Sequence, residues 1–78
     1  MTTQAIQVAK NTIKSAKAEL AYYESVKLDL QLGNIPIHPD MCNFWIRNCD
    51  KMICICQNQI ETFETFIIGT EMILSEKN

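Results

Sequence analysis

Glycine and proline are scarce in this 78-residue sequence, two of each, and that scarcity excludes an all-β fold, which needs a turn signal about every 8–12 residues. Arginine and histidine occur once each, as Arg47 and His38. A histidine-pair metal site is therefore absent, and so is the arginine-rich surface of a nucleic-acid reader. Apolar runs are short as well. The run Met52–Cys56 is only five residues long, whereas a bilayer-spanning helix needs about 20. The N-terminal MTTQAIQVAKNTIK lacks the charged start and long apolar stretch of a secretory signal. The expectation is a cytoplasmic protein without a membrane contact, whose four cysteines are reduced thiols rather than a disulfide framework.

Against these absences, 47% of the residues are hydrophobic and 21% charged, too apolar a mixture for a disordered chain. The length fits one domain, residues 1–78, near the size at which a single core is marginal. The net charge of −2 is too small to steer the chain towards nucleic acid or an anionic membrane. Its distribution is uneven. Residues 1–33 carry four lysines against Glu19, Glu24 and Asp29, and residues 40–78 carry three cations against six acids. Weakly opposite halves suit segments that pack on each other.

The fold class expected is all-α: an antiparallel hairpin of two long helices, at about 3–32 and 40–75, joined by a turn at 33–40. In the first, Ile6, Ala9, Ile13, Ala16, Leu20, Tyr23 and Leu30 recur in alternating steps of three and four, with Lys27 as the polar interruption. That is a heptad seam. Thr2 or Thr3 suits the cap at its start. Gly33 suits its end, where the chain needs a positive φ. Pro36 and Pro39 then bar helix through the turn. Pro39 fits the first position of the next helix and Asp40 the positive end of its dipole, with Asp40 as the alternative cap.

The second seam reads Cys42, Trp45, Cys49, Met52, Cys56, Ile60, Phe63, Ile67 and Leu74, widened by Ile46, Ile53, Phe66 and Ile73. Two places can bend or break it, the polar Gln57-Asn58-Gln59 and Gly69. Folding the chain at its turn sets Lys10 beside Glu61 and Glu64, and Glu24 beside Arg47. Val8, Tyr22, Val26, Leu28, Ile55 and Ile68 are then left wet on the flanks. Two-helix hairpins meet that need by pairing into a four-helix bundle or by docking on a partner. A homodimer, or completion by another protein, is the expectation.

The stretch Met41–Cys56 holds all four cysteines in the spacing C-x6-C-x4-C-x-C. Structural zinc sites prefer two close pairs that converge tetrahedrally. Cys42, Cys49 and Cys56 instead share one helix face, about 10 Å apart along the axis, too far for a common metal or a disulfide. They read as small core hydrophobes, and no metal or cofactor is expected. His38 lacks the third orienting group and oxyanion donors that catalysis with Cys42 would need, so the chain is not read as an enzyme. Lys10, Lys14 and Lys17 form a basic strip that reads as a solvated face, making direct nucleic-acid binding an unfavoured alternative.

Tyr22, Lys27, Phe44, Trp45 and Arg47 cluster near the turn and are residue types enriched at binding hot spots. They are the candidate partner-binding residues. In size and helical pattern the chain is similar to phage-encoded inhibitors of host systems and to hairpin co-chaperones of bacterial secretion systems. The likeness is one of architecture and transfers no functional residue. It implies a non-enzymatic interaction protein, most concretely a phage or mobile-element inhibitor that sterically blocks a bacterial defence or regulatory complex. A secretion co-chaperone is the alternative. A third reading is a dimer whose Tyr22, Lys27 and Arg47 capture a small nucleotide-like anion.

Overall fold

A computed structural model describes residues 2–77 as two helices, α1 (Thr2–Gln31) and α2 (Pro39–Lys77), packed on each other as a hairpin. The molecule is a rod of 59 × 16 × 14 Å with a radius of gyration of 17.5 Å. A compact globule of this length would have a radius near 11.5 Å, so the hairpin has surface along its whole length and little depth. Among the described residues no helix is long and apolar enough to cross a membrane.

Each end of the turn has a local cause. Gly33 takes φ 74°, the left-handed conformation in which a Cβ would meet the following carbonyl. That geometry closes a Schellman motif: the Asn34 amide donates to the Asp29 carbonyl at 2.9 Å, and the Gly33 amide to that of Leu30 at 3.3 Å. The Asn34 side chain also donates to the Asp29 carboxylate at 3.3 Å. At the start of α2, His38 is the cap. Its Nδ1 accepts from the Asp40 amide at 3.2 Å, and its carbonyl accepts from the Cys42 amide at 2.9 Å. Pro39 occupies the first helical position, so Asp40 is not the cap. It stands in the first turn, where its charge complements the helix dipole. At the other end of the chain, Thr3 is inside α1, and the side chain of Thr2 lies outside the described residues.

α2 passes through Gln57-Asn58-Gln59 and Gly69 without a break. The core between the helices is thin. Ala9, Ala16, Leu30, Cys49 and Cys56 are buried, and four of these five side chains are small, which lets the backbones approach closely. The Cys42 thiol donates to the Leu30 carbonyl at 3.4 Å, fixing the register beside the turn.

That register corrects several expectations. Trp45 is not a seam residue, being 44% exposed. The half-buried positions around it are Cys42 and Ile46, and Ile53 follows one heptad later. The inner stripe of α2 thus runs on the isoleucine side, one residue around from the tryptophan. Phe66 and Ile73 do not widen the core but are exposed, whereas Val26, expected to be wet, is half-buried. Among the described residues no ion pair within 4.0 Å joins Lys10 to Glu61 or Glu64, or Glu24 to Arg47. The interhelical ion pair present joins Lys27 to Asp50. Lys27 sits at a seam position but has a stem long enough to carry its ammonium out to the rim.

Candidate interaction surface

Cys42, Cys49 and Cys56 occupy the seam, Cys54 does not, and the four form no reactive centre. Cys49 and Cys56 are buried, Cys42 is half-buried, Cys54 is exposed, and all four are free thiols. Burial pushes the Cys49 thiol pKa up, the neighbouring Asp50 charge adds to the rise, and Lys27 opposes it. Burial also raises Cys56, helped by the charge of Glu19 and by the thiol's hydrogen bond to its Oε2 at 3.9 Å. A thiol held protonated is a poor nucleophile and a poor metal ligand. Among the described residues, no three of His, Cys, Asp and Glu gather in a metal-binding arrangement.

The five candidate residues near the turn do not converge on one surface. Trp45 lines a groove of about 210 Å³ with Val26, Leu30, Ile35 and Ile37. Phe44 packs edge-on against Trp45, ring centres 5.5 Å apart. Tyr22 is exposed and stacks edge-on with Tyr23 at 5.3 Å. Lys27 instead lines a different groove with Glu24, Leu28, Gln31, Ile53 and Gln57, and its ammonium is engaged by Asp50. Arg47 is exposed and lines neither groove. It follows Trp45 by two positions, about 200° around the helix. Arg47 stands three positions before Asp50 on the same side of α2, and the Lys27 ammonium is already engaged by that carboxylate.

What the hairpin does assemble is a pair of unlike flanks. On one side the edge columns are polar: Lys10, Lys17, Glu24 and Gln31 from α1 run beside Asn43, Asp50, Gln57, Glu64 and Glu71 from α2. On the other side α2 presents Trp45, Met52, Gln59, Phe66 and Ile73, spaced by sevens, with Met41 and Ile55 behind them. α1 contributes Ala5, Val8, Tyr22 and Val26 to the same side. Thirteen large apolar side chains are exposed among the described residues. Eight of them (Val8, Tyr22, Ile37, Met41, Trp45, Ile55, Phe66 and Ile73) fall on this second flank. A random scatter would divide them over the whole circumference.

The apolar flank is shaped as well as apolar. At the open end of the hairpin, Gln4, Ala5, Val8, Ala9, Phe63 and Phe66 form a groove of about 440 Å³. At the turn end lies the smaller groove under Trp45. Between them the surface is polar, with Thr12, Ser15, Glu19 and Gln59 around a shallow groove of about 280 Å³. Two of these polar groups are already engaged within the chain. The Thr12 hydroxyl donates to the Val8 carbonyl at 3.0 Å, and Glu19 accepts from Cys56.

The seven-residue spacing of Trp45, Met52, Phe66 and Ile73 is visible in the sequence, but the expected seam takes the first two and its margin the last two. Trp45 and Ile46 are one position apart, and a heptad through either gives an equally regular apolar stripe. No protein-family model matches the chain, nor does any curated protein or solved structure.

Proposed function

We propose that the chain is a non-enzymatic protein–protein interaction module whose working surface is the apolar flank. One observation supports this reading above the others: eight of the thirteen exposed large apolar side chains lie on one side of the hairpin, opposite a charged side. Apolar patches at both ends of one flank, joined by a polar middle, mark an interaction site. The mechanism is steric. A rigid rod lays its flank on a complementary surface and excludes whatever else binds there.

The most concrete form is a small inhibitor of the phage or mobile-element type, which covers a site on a bacterial defence or regulatory complex. A hairpin co-chaperone is the second reading. It is favoured by the trough between the two columns, which suits the apolar face of an amphipathic helix. Capture of a small anion is the third reading, and it has to compete with Asp50 for the Lys27 ammonium.

The test is capture of a bacterial complex by the tagged chain, followed by reconstitution from purified components and an activity assay of that complex. Phe66→Glu on the flank is expected to abolish both association and inhibition. Met72→Glu, exposed but off the flank, is expected to leave them intact. A complex that forms equally well with Phe66→Glu would remove the flank from the mechanism.

A further inference from the structure

We infer that the occupant of the apolar flank is a second copy of this chain, arranged about a two-fold axis that crosses the flank at mid-length and runs the two hairpins antiparallel. The inference rests on the reading of that flank as the working surface and names its resting occupant, which any target covered by the flank has to displace.

Three observations carry it. The first is area. The flank runs the 59 Å length of a rod 14–16 Å across. Its footprint is on the order of 800 Å², the share one partner contributes to a standard stable interface. The second is the deficit inside the hairpin. Its buried core is Ala9, Ala16, Leu30, Cys49 and Cys56, less than a chain of this size needs to stand alone. Burying Trp45, Phe66 and Val8 against a second copy turns two thin seams into one four-helix core.

The third is the pattern along the flank. Its two ends are unlike. The open end is a wider groove lined by Ala5 and Ala9, and the turn end carries the half-exposed indole of Trp45 over a smaller one. A two-fold axis through the polar middle, near Glu19 and Gln59, brings each groove over the other copy's Trp45. The contact is then isologous and closed, so it stops at two copies. A parallel pairing would set Trp45 against Trp45 and groove against groove.

Light scattering or sedimentation on the full chain tests the occupant. The wild type is expected at twice 9.0 kDa, with helicity that falls together with mass on dilution. Phe66→Glu is expected to weaken self-association by roughly 30-fold or more, whereas Met72→Glu leaves it unchanged. A fully helical wild-type monomer at micromolar concentration overturns the proposal. If that monomer binds a different protein through Phe66, only the occupant was wrong. If Phe66→Glu alters neither mass nor any capture, the working-surface reading falls with it.

The arrangement has its own readout. Ala5→Cys mixed with Ile37→Cys is expected to give a disulfide-linked dimer above the wild-type background, which neither variant gives alone. Cross-linking of each variant with itself would overturn the antiparallel axis.

Discussion

Lys27 of α1 and Asp50 of α2 form an ion pair across the hairpin, with side chains 31% and 52% exposed. The lysine interrupts an otherwise apolar heptad seam, and its partner is the residue next to buried Cys49. At this exposure the pair stabilises by about 0–1 kcal/mol, so its main consequence is for register. An antiparallel hairpin shifted by one heptad would set Lys27 beside uncharged Asn43 or Gln57 in place of Asp50. A double-mutant cycle with Lys27→Met and Asp50→Asn should return a coupling below about 1 kcal/mol. Lys27→Leu should raise the melting temperature by extending the seam. Unchanged or lower melting would mean that the ammonium contributes more than its exposure implies.

The two glycines should respond to alanine with opposite signs. Gly33 has nothing within 4 Å of an added Cβ, but its φ of 74° is unfavourable for any side chain. Gly33→Ala should cost about 1–2 kcal/mol. Gly69 is mid-helix with equally open space, and Gly69→Ala should gain about 1 kcal/mol. Chemical denaturation of the two variants checks this. A gain at Gly33 would contradict the Schellman closure of α1.

Replacing the His38 cap should destabilise the start of α2. Nδ1 must be unprotonated to accept the Asp40 amide. His38→Ala should lose about 0.5–2 kcal/mol and His38→Asn much less, because an amide oxygen can take the same role. Equal losses in both variants would show that the imidazole ring contributes by packing rather than by capping.

The thiols should divide into classes. In the folded protein Cys54 is expected to react first with an alkylating agent, and Cys49 and Cys56 only on unfolding, as peptide mapping after timed labelling will show. The raised thiol values also set a pH response. Folding holds these protons more tightly than the unfolded chain does, so the contribution to stability is complete below the ordinary thiol value of 9.0. It is lost as the pH climbs beyond that value, because the unfolded thiols ionise first. Denaturation midpoints should fall above about pH 9, and the fall should shrink in Cys49→Ala/Cys56→Ala. A midpoint that rises with pH in this range would reverse the assignment.

The sequence by itself determined the helical class, the two segments and the turn. Those features follow from local chemistry: a run without glycine or proline, Gly33 at a position needing positive φ, and Pro39 where an amide is dispensable. It also determined the fate of the cysteines, because seven-residue spacing keeps Cys42, Cys49 and Cys56 on one face and apart. Only the tertiary structure decided which of two adjacent heptads on α2 turns inward. Trp45 and Ile46 differ by one residue, about 100° of rotation, and both continue a regular apolar stripe. The choice is made by close approach of the backbones at Ala9, Ala16, Cys49 and Cys56, which leaves no room for an indole between the helices. Trp45 is therefore turned out with Phe66 and Ile73, and the candidate surface moves from a cluster at the turn to a flank along the whole rod.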